Sequence, residues 1–171
     1  ELLQDSEVEL VTVAVPNDAH EDVVVKALNA GKNVICEKPV ALSLESLNRM
    51  IEAAEKNHVH FSTHQNRRWD VDYLAMKQVH DSGELGKVIN IESRIHGSRG
   101  IPSDWRGEKV HGGGMLYDWG IHLIDQMLMI FGFENVESVY CICDHITNQE
   151  VDDGFRLDLN FKNGQRATVE V

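Results

Sequence analysis

Between residues 10 and 63 the hydrophobic pattern switches repeatedly between strand and helix with only a few residues at each change, and this alternation limits the fold more than any other feature. Residues 10–15 form a continuous, valine-rich apolar run of the kind found in strands covered on both faces of a parallel sheet. Pro16-Asn17 ends it. Asp18 followed by Glu21 gives a capping-box pattern for a helix carrying Val24, Ala27 and Leu28 and closed by Gly31. A second strand, 33–36, follows at once. Ser43 then caps a helix with Leu44, Leu47, Ile51 and Ala54 on one face, and residues 59–63 make a third strand. Strand, helix, strand, helix, strand with short links implies right-handed crossovers in an open parallel sheet. Ligands bind outside the carboxyl ends of the strands in such sheets. Here those ends carry Pro16-Asn17, Glu37-Lys38-Pro39 and Gln65-Asn66-Arg67, three polar clusters expected to line one crevice.

After Arg68 the pattern changes. Asp70 caps a helix with Val71, Leu74, Ala75 and Val79, ended by Gly83, and residues 87–96 alternate as a half-buried strand does. A loop over 97–114 leads into a helix over 115–131 that stops at Gly132. Three strand-like runs follow, 136–144, 154–161 and 165–171, with Asn163-Gly164 as a hairpin signal between the last two. The expected fold class is α/β: part of a parallel sheet over residues 1–66, then an α+β domain with a mainly antiparallel sheet over 67–171. The chain runs directly into a strand at one end and stops inside another, which gives it the look of a truncated sequence.

The formal net charge of −12 argues against a nucleic-acid or anionic-membrane surface, since both need a broad positive field. Arg94, Arg99, Arg106 and Lys109 fall in a loop-like stretch and could hold one phosphate or carboxylate, or could simply be solvated charges. No apolar run approaches the roughly 20 residues a membrane helix needs, and no basic-then-apolar leader is present, so a soluble, cytoplasmic protein is expected. Cys36, Cys141 and Cys143 lack the spacing of a disulfide framework, and Cys141 and Cys143 share one strand face, which favours packing over metal or redox chemistry. His58, His60 and His64 invite a metal reading, with the first two on one strand face. No nearby carboxylate or cysteine cluster completes a ligand set, so no metal is expected.

Asp118 and His122 are four residues apart and project from one helix face, with Asp125 about a turn beyond His122. Ile121, Leu123 and Ile124 cover the other faces, so the helix is expected to be buried with its polar stripe turned to a cleft. The aspartate either holds the histidine in the core or works with it on a proton. Gly112-Gly113-Gly114, just ahead, would let a ligand approach the backbone at a helix N-terminus, or is a flexible turn; its spacing matches neither the dinucleotide fingerprint nor the P-loop. Lys38 precedes Pro39, where a cis bond costs little and can redirect the lysine. Near a cationic ring in a sheltered cleft its ammonium form is disfavoured, so it could donate to a substrate hydroxyl; otherwise it is a surface lysine at a strand end. A lysine, an aspartate and a histidine are the parts needed to take a proton off a hydroxyl while a cofactor takes the hydride. An oxidoreductase is the leading reading.

Val15-Pro16-Asn17 with His20, Glu37-Lys38-Pro39, Asn66-Arg67, Trp105-Arg106 and the glycines leading into Asp118, His122 and Asp125 together resemble the glucose-fructose oxidoreductase, inositol dehydrogenase and rhizopine-catabolism (Gfo/Idh/MocA) family over nearly the whole chain. The resemblance implies that the parallel sheet is part of a Rossmann domain and that the cofactor is NAD or NADP. Pro16, Asn17, His20, Glu37, Lys38 and Asn66 would contact it around the nicotinamide ribose, with Trp105 and Arg106 closing over it. Lys38, Asp118 and His122 would be the catalytic group: His122 accepts the hydroxyl proton, Asp118 orients it or grips a neighbouring hydroxyl, and Lys38 fixes the reacting oxygen. The substrate would be a sugar, cyclitol or related polyol, and a homo-oligomer is expected.

The sequence departs from the family in lacking the Gly-x-Gly-x-x-Gly turn that seats the pyrophosphate. The 171-residue piece is therefore expected to bind the cofactor poorly or not at all, and to be inactive alone. Three rivals remain at this point. One is a sugar- or nucleotide-sensing regulator of the same fold, one an NAD-dependent glycosidase, and one a histidine-metal hydrolase.

Overall fold

The structure, a computed structural model, describes residues 1–97 and 100–171. Two compact units emerge, Glu1–Gln65 with Val110–Gly113, and Asn66–Lys109 with Gly114–Val171.

In the first unit β1 (Leu10–Val13), β2 (Asn33–Cys36) and β3 (Phe61–Thr63) form a parallel sheet in that order, with Val13 opposite Cys36 and Cys36 opposite Thr63. Helices α1 (His20–Asn29) and α2 (Leu44–Asn57) are the crossovers. Val24, Ala27 and Leu28 of α1 are buried with Val13, Val34, Cys36 and Met50 in one core. Each large aliphatic side chain removed from water in this way stabilises the unit by about 1.5–3 kcal/mol.

Several local expectations need correction. Leu10 and Thr12 of β1 are exposed while Val13 is buried, so this strand is covered on one face and not on both. Asp18 does not cap α1: residues Asn17–Ala19 form a separate turn, Ala19 stands at the N-cap, and Asp18 pairs instead with His111 at 3.0 Å. Ser43 does cap α2, its hydroxyl accepting the Ser46 N–H at 3.1 Å. The buried stripe of α2 is Ser46, Met50, Ala53 and Ala54, while Leu44 and Ile51 are exposed. Small residues win that face because α1 and α2 pack on each other, and close approach of two helices needs little side-chain bulk. β3 starts only at Phe61, because His58 ends α2 in the left-handed conformation at φ 54°. His58 and His60 therefore share no strand face.

In the second unit, β4 (Asn90–Arg94), β5 (Val136–Asp144), β6 (Gly154–Phe161) and β7 (Arg166–Glu170) make a sheet in the order β4-β7-β6-β5. β5 to β6 and β6 to β7 are antiparallel, but β4 to β7 is parallel, so the sheet is mixed. Phe155, Leu157, Leu159 and Phe161 of β6 alternate onto one face with Ala167 and Val169 of β7. Against them packs α4 (Ile121–Phe131), through Leu123, Met127 and Phe131. The β6–β7 hairpin closes through Gly164 at φ 80°, whose N–H donates to the Phe161 carbonyl at 2.9 Å; one left-handed residue after the turn suffices, and glycine adopts it without steric cost.

Helix α3 (Val71–Ser82) is rotated from its expected face. Val71, Leu74, Ala75 and Val79 are exposed, whereas Tyr73 is buried, Met76 packs on the core and the His80 ring meets Phe131 edge-on at 6.0 Å. The 73, 76, 80 spacing is as helical as the one expected, and the aromatic and thioether groups fill it better. No helix among the described residues is long and apolar enough to cross a membrane.

Candidate active site

In the first unit the polar residues sit where strands end. His20 is 1% exposed; its Nδ1 lies 2.9 Å from the Pro39 carbonyl oxygen and its Nε2 3.0 Å from that of Val15. The resemblance implies a cofactor contact for His20, yet what its ring does within this unit is tie the end of β1 to the turn after β2. Asn17, 6% exposed, donates from Nδ2 to the Gly112 carbonyl at 2.8 Å. A Cβ on Gly112 would lie 2.6 Å from Leu42 Cδ2.

Glu37, Lys38 and Pro39 follow β2, and the Lys38–Pro39 bond is cis. Glu37 accepts the Lys38 N–H at 3.3 Å through Oε2, and its Oε1 lies 2.7 Å from His64 Nδ1. Burial alone would raise the Glu37 carboxyl, but the His64 and Lys38 hydrogen bonds and their charges outweigh it and hold it below the usual range. After β3, Gln65 Oε1 is buried with no hydrogen-bond partner among the described residues. Asn17, Glu37, Lys38 and Gln65 thus offer carboxylate, ammonium and amide groups. These suit a ribose and a carboxamide, so the residues present fit the nicotinamide end of a dinucleotide.

In the second unit Met115–Phe131 is not one regular helix. Leu116–Gly120 is a π-turn, with the Ile121 N–H reaching back five residues to the Leu116 carbonyl, and α4 starts after it. Asp118 lies in this wider turn and His122 in the first turn of α4, so the simple four-residue spacing is modified where the two residues sit. Single π-turns recur at functional sites. His122 is 4% exposed, with its ring edge-on to Trp119 at 6.2 Å. Asp118 Oδ1 is 3.5 Å from Arg106 Nε, and Arg106 also pairs with Asp104 at 2.9 Å and lies over the Trp105 ring at 4.5 Å.

Asp125 belongs to a different arrangement. Arg68 grips both its oxygens, at 2.7 and 2.6 Å, which raises the guanidinium pKa further. Gln126 donates to the Arg67 carbonyl at 2.8 Å, and the Arg67 guanidinium sits 4.1 Å above the Trp119 ring. The turn Asn66–Trp69 is therefore fastened to the helix carrying His122, with exposed Asn66 at its start. Of the basic group expected around 94–109, Arg94 lies in β4 beside Glu92 and Glu170 and Arg106 is paired as above, while Arg99 lies outside the described residues. Cys141 and Cys143 have their sulfurs 3.9 Å apart, and burial pushes the Cys141 thiol up to about 11. Among the described residues no cluster of three or more His, Cys, Asp or Glu is placed to hold a metal.

Sequence reasoning missed Asp152, whose carboxylate accepts the Leu116 N–H at 2.7 Å and so holds the start of the π-turn. The Asp152-Asp153-Gly154 run is a turn signal, but nothing in it announces a partner so far back along the chain.

Residues 1–65 match the family model described as "Oxidoreductase family, NAD-binding Rossmann fold", and residues 73–171 match "GFO/IDH/MocA C-terminal domain". Among solved structures, an NAD-binding protein from Listeria innocua is similar with a TM-score of 0.96 at 45% identity, over 99% of this chain and 50% of that one. An uncharacterised oxidoreductase of Schizosaccharomyces pombe is 42% identical over 100% of this chain and 48% of its own length. The scyllo-inositol 2-dehydrogenase (NADP(+)) of Bacillus subtilis is 32% identical over 94% of this chain and 45% of its own length. The chain spans about half the length of these relatives. With both of its units matched in order, the chain belongs to the GFO/IDH/MocA oxidoreductase family.

Proposed function

We propose that the whole protein containing this chain is an NAD- or NADP-dependent oxidoreductase that moves a hydride between nicotinamide and a hydroxyl or keto carbon of a sugar, cyclitol or related polyol. The observation that carries this reading is His122, an imidazole only 4% exposed beside a π-turn bearing Asp118, in the domain matched to the family's C-terminal half. The names of the B. subtilis relative and of the inositol 2-dehydrogenase of Salmonella agona, 36% identical over 74% of this chain, support a polyol substrate.

The bound nicotinamide would supply hydride uptake and release. Pro16, Asn17, Glu37, Lys38 and Asn66 would hold its ribose end, Trp105 and Arg106 would cover it, and His20 would keep the strand ends in place. In oxidation His122 takes the hydroxyl proton, a task suited to imidazole. Asp118, already engaged with Arg106, grips the substrate or orients the ring, and Lys38 fixes the reacting oxygen. The whole protein would work in the cytoplasm as a homo-oligomer, which light scattering tests directly.

In the whole protein, His122→Ala is expected to lower kcat by about 100-fold or more while cofactor affinity is kept. Unchanged turnover refutes the acid-base role. Reduced cofactor should accumulate with a polyol; a glycosidase would return its hydride in each cycle and show no net absorbance change.

A further inference from the structure

We propose that Asp152 is a positioning residue for the segment carrying Asp118 and His122, and that the loop joining β5 to β6 is the brace that presents it. The proposal rests on the catalytic reading of Asp118 and His122 above.

The first N–H groups of a helical segment have no acceptor within it. At this one, Asp152 supplies two: its main-chain oxygen accepts the Met115 N–H at 3.0 Å and its Oδ2 accepts the Leu116 N–H at 2.7 Å. The fit is close. Gly114 has φ 110°, and a Cβ there would stand 2.2 Å from Asp152 Oδ1, so a side chain at 114 and this carboxylate cannot both occupy the space. Burial pushes the Asp152 carboxyl up against the pull of the Leu116 N–H, as expected of a group kept in shelter by its partners.

The loop itself is internally bonded. Asp153 accepts the N–H groups of Ile146, Thr147 and Asn148 and the Thr147 hydroxyl, which holds its carboxyl well below the usual range. Asn148 Oδ1 accepts the N–H groups of Glu150 and Val151 at 2.8 and 3.1 Å, and its Nδ2 donates to the Gly107 carbonyl at 2.9 Å. Gly107 closes the turn of Trp105 and Arg106. One loop therefore holds the Trp105–Gly107 turn at one point and the π-turn at another. These two turns must keep register, because Arg106 Nε meets Asp118 Oδ1 across them at 3.5 Å.

The test compares Asp152→Ala, Asp152→Asn and Asn148→Asp in the whole protein, by amide hydrogen exchange over residues 114–122, cofactor binding and steady-state kinetics. Asp152→Ala should speed exchange in that segment about tenfold and lower kcat by about 10–100-fold, with cofactor affinity within about twofold, since small misplacements cost that much in rate. Asp152→Asn keeps an oxygen that can accept the Leu116 N–H and should recover most of kcat. Asn148→Asp removes the donor to Gly107 and should weaken cofactor binding more than it lowers kcat. If Asp152→Ala does not fold, the kcat of Asp152→Ser, which cannot reach the N–H, against that of Asp152→Asn decides. Unchanged exchange, or wild-type kcat with only a lower urea midpoint, overturns the proposal. Full turnover in His122→Ala would instead sink the catalytic reading and leave the exchange result standing, so the two failures are distinguishable.

Discussion

Replacing Gly120 by alanine sets two effects against each other. Gly120 joins the π-turn to α4 with helical angles, φ −57° and ψ −41°, so helix propensity alone favours alanine by about 1 kcal/mol. Packing opposes it. A Cβ at 120 would lie 2.9 Å from Phe155 Cζ, 3.0 Å from Leu116 Cδ1 and 3.1 Å from Phe155 Cε1, and Phe155 is 1% exposed, so its ring has nowhere to move. Overpacking of a closed core costs about 1–3 kcal/mol. The net expectation is a loss of about 1 kcal/mol. All three tryptophans, Trp69, Trp105 and Trp119, lie in the second unit, so their fluorescence in a urea titration follows that unit alone. Phe155→Leu should cost less in the Gly120→Ala background than in the wild type, by a coupling of about 1 kcal/mol. A stabilised Gly120→Ala variant, or additive single changes, would refute the close contact between this turn and the sheet.

Glu21 is held down to about 2, first by its hydrogen bond from Arg49, joining α1 to α2. A depressed carboxyl contributes stability that is present above its unfolded value, 4.5, and is lost as pH falls toward 2. The pair is solvent-exposed, so the effect on the first unit should be well under about 1 kcal/mol and should vanish in Arg49→Met, as a pH series of urea midpoints by far-UV circular dichroism would show. Burial, with the Glu37 charge, pushes Cys36 up to about 12, and Cys141 stands at about 11, while Cys143 is exposed. A thiol reagent at pH 8 should therefore label Cys143 quickly and Cys36 only on unfolding; fast labelling of Cys36 in the folded chain contradicts its burial.

The βαβ alternation was legible because period, caps and valine runs all agree: the boundaries of β2, β5 and β6 match the expectation, and Ser43 caps α2 as its position suggests. Helix faces were less legible. Leu44 and Ile51, or Val71 and Val79, form valid apolar stripes, and only the neighbouring element decides that Met50 with Ala53, or Tyr73 with Met76, turns inward. The π-turn at Leu116–Gly120 was invisible, since its sequence is an ordinary helical one and its start is held by Asp152 from the distant β5–β6 loop. Of the candidate site, the residue types could be named from the sequence, whereas the partners of His20, Asp125 and Arg106 depend on chain reversals that no local pattern encodes.

The parallel pairing of β4 with β7 has a consequence for how the second unit is made. Asn90 must wait for Arg166, and β7 is the strand that separates β4 from β6. At ribosomal speeds of about 5–20 residues per second, β4 emerges roughly 4–15 s before β7, its neighbour in the sheet among the described residues. Until then its amides, and one flank of β6, are open to strangers, and a product cut short before residue 166 keeps both open for good. Nascent chains of this protein should accordingly depend on chaperones most in that interval.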